Sequence, residues 1–340
     1  MSFILLDSKA FEHNLTVIKN IAPIEKIAVV LKDNAYGHGL LEMATLAKKN
    51  GIKHAVVRYV DEAQKISDIF QTVLVLADIP SSKINENINI TINSIDDIKK
   101  IPKNRAVHLK VNSGMNRNGI SIDELNSAIL QIKESGLFLK GIFSHSRSSD
   151  ELSSELFWQY KTFQEIKAKS ELICEDLEIE MPKFHFANSS ALLRMKETVV
   201  FDMVRVGIAI YGYSECDEVF NPPSLKPVLS LWGEKISSRL VAKNQRVGYA
   251  GQGKVENDSI VSTYDLGYAD GIFRDDGKRE FRLDNQTKII GKISMDNLSA
   301  LNSDDKVCVI KDARLWAKRF NTITYEILAK LSTAIKREIL

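Results

Sequence analysis

The stretch IAVVLKDNAYGHGLLEMATLAKKNGIKHAVV, residues 27–57, contains one complete unit of the predicted fold. It begins with a short apolar run, passes through the helix-period segment LLEMATLAKKN (40–50) and ends with the run HAVV (54–57). Continuous apolar runs are typical of strands that are buried on both faces, and a helix between two such strands requires them to pair in parallel. The stretch therefore predicts a β–α–β unit.

The same rhythm recurs through the first two-thirds of the chain. The further strand candidates are TVLVL (72–76), INITI (88–92), AVHLKV (106–111), LKGIFSH (139–145), FHFA (184–187) and MVRVGIAIY (203–211). Helical patterns lie between most of them, among them SIDELNSAILQIKESG (121–136) and SSALLRM (189–195). Eight such units in about 210 residues predict an α/β fold, a (β/α)8 TIM-type barrel. A doubly wound parallel sheet is the competing architecture.

The pattern changes after NPPSLKPVLSL (221–231), where prolines cluster. Segments such as RVGYAGQGK (246–254) and SIVSTYDLGYADG (259–271) read as strands separated by Gly, Asn and Asp turns, without long helices between them. That pattern predicts a mostly antiparallel β domain. We expect the barrel to occupy residues 1–225 and the β-rich domain to occupy 226–340, with the first few N-terminal residues packing against the latter.

Composition excludes several classes of protein. The 340 residues are 44% hydrophobic and carry 46 basic and 44 acidic side chains, which are interspersed. Without a basic stripe, we expect no nucleic-acid or membrane partner. Cys174, Cys216 and Cys308 are too widely spaced to indicate a disulfide framework or a zinc site, so no metal is expected. Neither a signal peptide nor a membrane span is recognisable, which indicates a cytoplasmic protein.

Chemically unusual residues stand at the ends of the strand candidates, where a barrel places its functional groups. Lys32 follows the first strand, and burial there would lower its pKa and favour the neutral amine that forms a Schiff base. A lysine that simply emerges into solvent is the alternative. Arg117 lies in a Gly- and Asn-rich loop after the fifth strand, and His145 ends the sixth.

The last two barrel strands supply an anion site and a buried charge. His185 lies in the seventh strand, and Asn188 and Ser189 stand at the start of the next helix, where a phosphate or a plain N-cap would fit. Arg205 lies inside an apolar run and needs a buried partner, and a structural ion pair is the alternative. Taken together, these residues predict a pocket for a cofactor that carries an aldehyde and a phosphate.

Six segments resemble blocks of the alanine racemase family, in the same order. They are VVLKDNAYGHG (29–39), VHLKVNSGMNRNG (107–119), FHFANSS (184–190), MVRVGIAIYG (203–212), DLGYADG (265–271) and GKISMDN (291–297). The resemblance covers nearly the whole chain. It implies an isomerase that uses pyridoxal 5′-phosphate (PLP) on a barrel, interconverts L-alanine and D-alanine, and supplies D-alanine for peptidoglycan.

The resemblance also implies how PLP is held. Lys32 would form the Schiff base, and Arg205 would donate to the pyridine nitrogen, which stays unprotonated because arginine keeps its proton. His185 would hydrogen-bond Arg205, and His145 would pack beside the cofactor ring. The groups implied at the phosphate end are the side chains of Tyr36, Asn188 and Ser189 and the backbone N–H groups of Gly207 and Ile208.

The remaining implied roles concern the substrate and a second subunit. Tyr268 resembles a second catalytic base that the partner subunit of a homodimer supplies, opposite Lys32, so that the two bases serve the two faces of the reacting carbon. Met295 of the partner would bind the substrate carboxylate through its backbone N–H, and Arg117 would bind the carboxylate or the cofactor phenolate. Lys110 matches a lysine that is often carbamylated.

Three other functions compete with this interpretation. A PLP decarboxylase on the same barrel usually has an acidic residue at the pyridine nitrogen, which Arg205 disfavours. A racemase of broad or shifted specificity, acting for instance on serine or lysine, would need few changed contacts, because one methylene contributes only about 1–3 kcal/mol to discrimination. A non-catalytic PLP carrier would need neither the β-rich domain nor Tyr268.

Overall fold

The computed structural model describes all 340 residues, and the chain divides into two compact units. The barrel unit consists of Phe11–Asp33 and Met43–Lys226. The sheet unit consists of Met1–Ala10, Asn34–Glu42 and Pro227–Leu340. The short segment Asn34–Glu42 therefore belongs to the sheet unit, although barrel segments flank it in the sequence, which the sequence pattern did not indicate.

The regular elements are numbered in chain order. The strands are β1 (Phe3–Leu6), β2 (Ile27–Val30), β3 (His54–Val57), β4 (Thr72–Val75), β5 (Ile88–Ile92), β6 (Ala106–Lys110), β7 (Phe138–Phe143), β8 (Lys183–His185), β9 (Val204–Val206), β10 (Leu229–Val241), β11 (Arg246–Val247), β12 (Gly253–Lys254), β13 (Ser259–Tyr264), β14 (Phe281–Arg282), β15 (Lys288–Ile289), β16 (Leu298–Leu301), β17 (Lys306–Ile310) and β18 (Lys336–Ile339). The helices are α1 (Ser8–Lys19), α2 (Lys32–Tyr36), α3 (Leu40–Lys49), α4 (Val60–Ile66), α5 (Ile95–Ile98), α6 (Leu125–Glu134), α7 (Glu155–Asp176), α8 (Ser189–Met195), α9 (Ala313–Phe320) and α10 (Thr324–Ala329). None of them combines the length and the apolar character that crossing a bilayer requires.

Eight parallel strands form the barrel, in the order β8-β7-β6-β5-β4-β3-β2-β9. Backbone hydrogen bonds join the two ends of this series, because the Asp202 N–H donates to Phe184 O and the Arg205 N–H donates to Ala187 O, each over 3.0 Å. The sheet is therefore nearly closed. The predicted (β/α)8 barrel is confirmed, and the doubly wound sheet, which has two open edges, is excluded.

The apolar runs form strands because both of their faces are covered. Every residue of β2, β3 and β5 is buried, as the continuous runs predicted. The prediction that the last barrel strand extends to residue 211 is wrong, because β9 ends at Val206. The chain then folds into successive turns in which the Ile210 N–H donates to Gly207 O and the Tyr213 N–H donates to Ile208 O. These turns replace strand pairing at the carboxyl end of the barrel.

The sheet unit contains the predicted antiparallel β domain. Its main sheet has the order β14-β15-β16-β13-β10-β1-β18, and β17 also pairs with β10. All of these pairs are antiparallel except β1 with β18, which aligns the N-terminal strand with the C-terminal one. The helices α9 and α10 follow β17 and were not predicted. The Asp312 side chain caps α9 by accepting from the Arg314 N–H, which is a start signal that the sequence carries.

One helical turn has the opposite hand to the others. In α2, Asp33, Asn34, Ala35 and Tyr36 have φ between +52° and +54°, the left-handed region that costs residues with a Cβ about 1–2 kcal/mol each. Gly37 follows at φ +80°, and an added Cβ there would lie 2.0 Å from the carbonyl oxygen of Leu328. Strain of this kind is retained mainly where the surrounding structure fixes a functional segment.

Candidate active site

The barrel strands bring most of the predicted site residues to one end. Lys32 begins the turn after β2, Lys110 is the last residue of β6, and Arg117 lies in the loop that follows it. His145 follows β7, and Ser189 begins α8 directly after the loop from β8. Because parallel strands end on the same side of a barrel, these side chains share its carboxyl face.

Arg205, on β9, is buried and bonded only to neutral groups. Its Nη1 donates to His185 Nδ1 over 2.7 Å and to His185 O over 3.2 Å, and its Nη2 donates to Ser144 O over 2.7 Å and to Phe186 O over 3.2 Å. None of these partners is a carboxylate, so the structural ion pair is absent. Its Nε–H has no protein acceptor. Burial lowers the pKa of Arg205 to about 9, which leaves the guanidinium charged at neutral pH.

The hydrogen bonds continue beyond His185 to two residues that the sequence analysis did not single out. His185 Nε2 lies 2.9 Å from His108 Nδ1, and His108 Nε2 lies 3.1 Å from Asn89 Nδ2. The ring of Phe143 stacks on His185 with centroids 4.7 Å apart. The available signal was a polar residue inside each of two largely apolar strands, since such residues need buried partners.

Basic side chains and histidine predominate on this face, and the Asp33 carboxylate lies beside Lys32. Burial, together with the charges of Arg205 and Lys110, lowers the pKa of His145 to about 3. Burial also lowers the pKa of Lys110 to about 8, with Arg205, Arg117 and Lys32 contributing. Lys110 Nζ donates to Asn118 Oδ1 over 3.3 Å. Such a cluster of positive charges favours an anionic ligand.

Lys32 is less buried than the sequence predicted. Its side chain is 37% exposed, and its Nζ lies 4.0 Å from Asp33 Oδ2. Arg58 donates to the other oxygen of the same carboxylate over 3.2 Å. The expectation of a desolvated amine is therefore wrong for the protein alone, because β2 ends at Val30 and Lys32 already belongs to the following turn.

The loop after β9 fits a phosphate. Ser189 Oγ accepts from the N–H groups of Gly207 and Ala209, over 3.0 Å and 3.3 Å. Between them, the buried Ile208 has no protein acceptor for its backbone N–H, an orphan donor of the kind that a phosphate oxygen satisfies. Asn188 caps α8 by accepting from the Ala191 N–H over 2.9 Å, so the N-cap role is present.

The sheet unit carries the other three predicted residues. Tyr36 is buried in the left-handed turn, and its ring packs against Tyr325 with centroids 5.6 Å apart, a neighbour that the sequence analysis missed. Tyr268 and Met295 are 39% and 55% exposed. They lie beside each other, because the Tyr268 N–H donates to Ser294 O over 3.1 Å and the following Ala269 N–H donates to Met295 O over 2.9 Å.

The close approach of these two loops predicts a strong effect at Gly267. A Cβ added there would lie 2.1 Å from Met295 O, so Gly267→Ala must push the loops of Tyr268 and Met295 apart. We expect a loss of about 1–3 kcal/mol in unfolding free energy and a clear fall in activity. Urea unfolding and an enzyme assay measure both. Gly233→Ala is the matched control, since its added Cβ meets nothing closer than 3.3 Å; equal effects of the two substitutions would contradict the argument.

Both parts of the chain resemble known proteins. Residues 6–215 match the family described as alanine racemase, N-terminal domain, and residues 228–339 match alanine racemase, C-terminal domain. The chain is 42% identical to an alanine racemase of a Nitratiruptor species over 338 residues, covering 99% of each chain. It is 44% identical to an alanine racemase of Campylobacter concisus over 341 residues, covering 100% of each chain.

Among solved structures, alanine racemase from Bacillus anthracis with bound L-Ala-P aligns with a TM-score of 0.87 and 28% identity, over 100% of this chain and 95% of that one. The chain therefore belongs to the alanine racemase family and is an isomerase.

Proposed function

We propose that this protein interconverts L-alanine and D-alanine with PLP as its cofactor, by a two-base reaction in a homodimer whose subunits share their active sites. The observation that carries the proposal is Arg205, a buried guanidinium with neutral partners and a free Nε–H, on the barrel face that also holds Lys32 and the orphan N–H of Ile208. Its product, D-alanine, would supply peptidoglycan synthesis.

The donors on the barrel face fit the two ends of PLP. Arg205 would donate its Nε–H to the pyridine nitrogen, and the turn of Gly207 and Ile208 with Ser189 would bind the phosphate, with Tyr36 and Asn188 as further phosphate-end groups. Lys32 would hold the aldehyde carbon. Bound in this way, PLP withdraws electrons from the α-carbon of an amino acid and makes its proton easier to remove. Because Arg205 does not release a proton at neutral pH, the pyridine nitrogen stays unprotonated.

Two bases are needed because inversion removes a proton from one face of the α-carbon and returns one to the other. We assign the two positions to Lys32 Nζ and to Oη of the partner subunit's Tyr268. Arg117 and the backbone N–H of the partner's Met295 would orient the carboxylate. The adjacency of Tyr268 and Met295 supports this assignment, since a single pair of exposed loops then delivers both groups.

Lys110 is a candidate for carbamylation. Its lowered pKa, about 8, leaves a larger share of neutral amine at neutral pH than an ordinary lysine has. That neutral amine attacks carbon dioxide and releases one proton, which leaves a carbamate. The product would place a negative charge among Arg117, Lys32 and Arg205.

The other functions fit these observations less well. A decarboxylase benefits from an acid at the pyridine nitrogen, and the buried partner here is Arg205. A PLP carrier has no use for the paired loops of Tyr268 and Met295. A racemase with a different small substrate would share the entire site described above, so the choice of amino acid is decided by assay.

The deciding experiment supplies purified protein and PLP with one amino acid at a time. L-Alanine, L-serine and L-lysine are incubated separately, and chiral chromatography measures the D-enantiomer. We expect D-alanine to form fastest. Inversion of another amino acid alone would keep the mechanism and replace the substrate, and PLP binding without any inversion would favour the decarboxylase or the carrier.

Replacing Tyr268 by phenylalanine tests the two-base assignment. Because the two enantiomers are equally stable, kcat/KM must fall equally in both directions, and we expect a loss of about 100-fold. In deuterium oxide, however, Lys32 should still exchange the α-hydrogen of D-alanine without inversion, which proton NMR detects. Tyr249→Phe, at a 66% exposed tyrosine of the same unit, is the control. Loss of exchange from both enantiomers, or exchange of L-alanine instead, would contradict the assignment.

A further inference from the structure

Asn89, His108, His185 and Arg205 form one continuous hydrogen-bonded chain across the interior of the barrel, and only its last two members were given a role by the family resemblance. All four side chains are buried, with exposed fractions of 7%, 3%, 0% and 5% respectively. The chain crosses four strands or strand ends, from β5 through β6 and β8 to β9. Its links measure 3.1, 2.9 and 2.7 Å.

The direction of every link follows from Arg205, because arginine can only donate. His185 Nδ1 must therefore accept and carry no proton. A neutral imidazole then has its proton on Nε2, so His185 donates to His108 Nδ1. By the same reasoning His108 carries its proton on Nε2 and donates to Asn89. Burial keeps the pKa of both histidines far below the ordinary value, so neither becomes a cation that could donate at both nitrogens.

The end of the chain requires a specific orientation of Asn89. Its Nδ2 lies 3.1 Å from His108 Nε2, but two donors do not bond. The amide must present its oxygen instead, which a half-turn about the side chain achieves without changing its shape. Asn89 then ends the chain as an acceptor. The accepting lone pairs of Asn89, His108 and His185 each face the next residue in the direction of Arg205.

The barrel contains a dedicated space for the His108 ring. A Cβ added at Gly141, on the neighbouring β7, would lie 2.3 Å from His108 Nδ1 and 2.6 Å from its Cε1. The β6–β7 register also shifts between Val107 and His108. Glycine at this position therefore lets the ring lie against the neighbouring backbone, and the ring has little freedom to turn over.

We propose that His108 and Asn89 are positioning residues for the cofactor: they hold the His185 ring in the orientation that presents its unprotonated Nδ1 to Arg205, and His185 in turn holds the charged Arg205 with its Nε–H directed at the pyridine nitrogen. The aligned dipoles of this hydrogen-bonded chain stabilise the charge of the guanidinium, as a carboxylate would do. Unlike a carboxylate, they carry no negative charge that could take its proton. The inference about hydrogen-bond direction stands on the protein alone, and only the link to the pyridine nitrogen rests on the proposed function.

Nitrogen NMR tests the direction without any turnover. The polypeptide has six histidines. Protein labelled with nitrogen-15 at histidine gives separate signals for protonated and unprotonated ring nitrogens. Substitution of one histidine at a time assigns them. We expect Nε2–H and a bare Nδ1 at both His108 and His185, with or without PLP. A proton on Nδ1 of either ring would overturn the proposal even if the protein is an active racemase.

Three variants test whether the chain positions Arg205. His108→Leu and Asn89→Leu remove the chain's acceptors, and Gly141→Ala displaces the ring of His108. We expect each to break or weaken the hydrogen bond that the His185 Nε2–H donates, which shifts the Nε2 signal of His185, and to weaken PLP binding, measured by titration of cofactor absorbance, by about tenfold. His108→Asn, whose amide oxygen lies near the position of Nδ1, should restore both properties.

A buried histidine outside the chain is the control. His54 on β3 bonds Thr72 over 2.7 Å, and His54→Gln should change neither the His185 signals nor the PLP affinity. If His108→Leu folds, binds PLP normally and leaves the His185 Nε2 signal unchanged, then His108 only fills space and the proposal is wrong. If the tautomers are as expected but no racemisation occurs, then the proposed function fails and the hydrogen-bond direction remains.

Discussion

Lys32→Ala is expected to abolish racemisation in both directions, with a loss of at least about 10⁴-fold, because in the proposed reaction Lys32 is both the group that holds the cofactor aldehyde and one of the two bases. Chiral chromatography measures the loss. Borohydride reduction, which fixes PLP onto its lysine, followed by peptide mass analysis should label Lys32 in the wild type and nothing in the variant.

Lys48→Ala, at an exposed lysine on α3, is the matched control and should keep full activity. Lys32→Arg adds a stricter comparison, because it keeps the charge beside Asp33 but offers no amine. It should be as inactive as Lys32→Ala. Inversion by either Lys32 variant at more than a hundredth of the wild-type rate would remove Lys32 from the reaction.

The same variant also tests the proposal that two subunits share each active site. Homodimers of Lys32→Ala and of Tyr268→Phe should each be inactive, but a mixed dimer contains one site with both native groups. Random exchange makes half of the dimers mixed, so activity should return to about a quarter of the wild-type value. No recovery after verified subunit exchange would mean that Lys32 and Tyr268 act within one chain.

The barrel was predictable because its strands are buried on both faces. Strands of this kind appear in the sequence as continuous apolar runs. IAVV, HAVV and INITI form strands with the predicted bounds. No comparable sequence pattern marks the left-handed turn at Asp33–Tyr36. The sign of φ there depends on the surrounding structure, such as the Leu328 carbonyl beside Gly37. Local patterns carry no information about a neighbour almost 300 residues away.

The sequence pointed to single residues of the candidate site but not to the hydrogen-bonded network that joins them. Strand ends and motifs pointed to Lys32, His185 and Arg205, whereas His108 and Asn89 read as isolated polar residues in apolar strands. Their link to Arg205 depends on the relative registers of β5, β6, β8 and β9, which only the folded barrel defines. The burial of the histidines also determines how the stability of the protein changes as the pH falls.

The buried histidines should make the protein markedly less stable below pH 6.5. Burial lowers the pKa of His38, His108 and His145 to about 3, against about 6.5 in the unfolded chain. Between these values the unfolded chain binds protons that the folded protein does not, so the free energy of unfolding falls as pH falls. At pH 5.5, one unit below the unfolded pKa, each histidine lowers it by about 1.3 kcal/mol relative to pH 7.5, and three of them lower it by about 4 kcal/mol.

Urea unfolding at pH 7.5, 6.5 and 5.5, followed by tryptophan fluorescence, measures this loss. His108→Asn removes one titrating group, so its unfolding free energy should fall by about 1.3 kcal/mol less than that of the wild type over the same interval. Lys48→Ala keeps all six histidines and should show the full loss. If the unfolding free energy of the wild type stayed level from pH 7.5 to 5.5, the three rings would be gaining protons in the folded protein as they do in the unfolded chain. Burial would then not keep them neutral, and the prediction would be wrong.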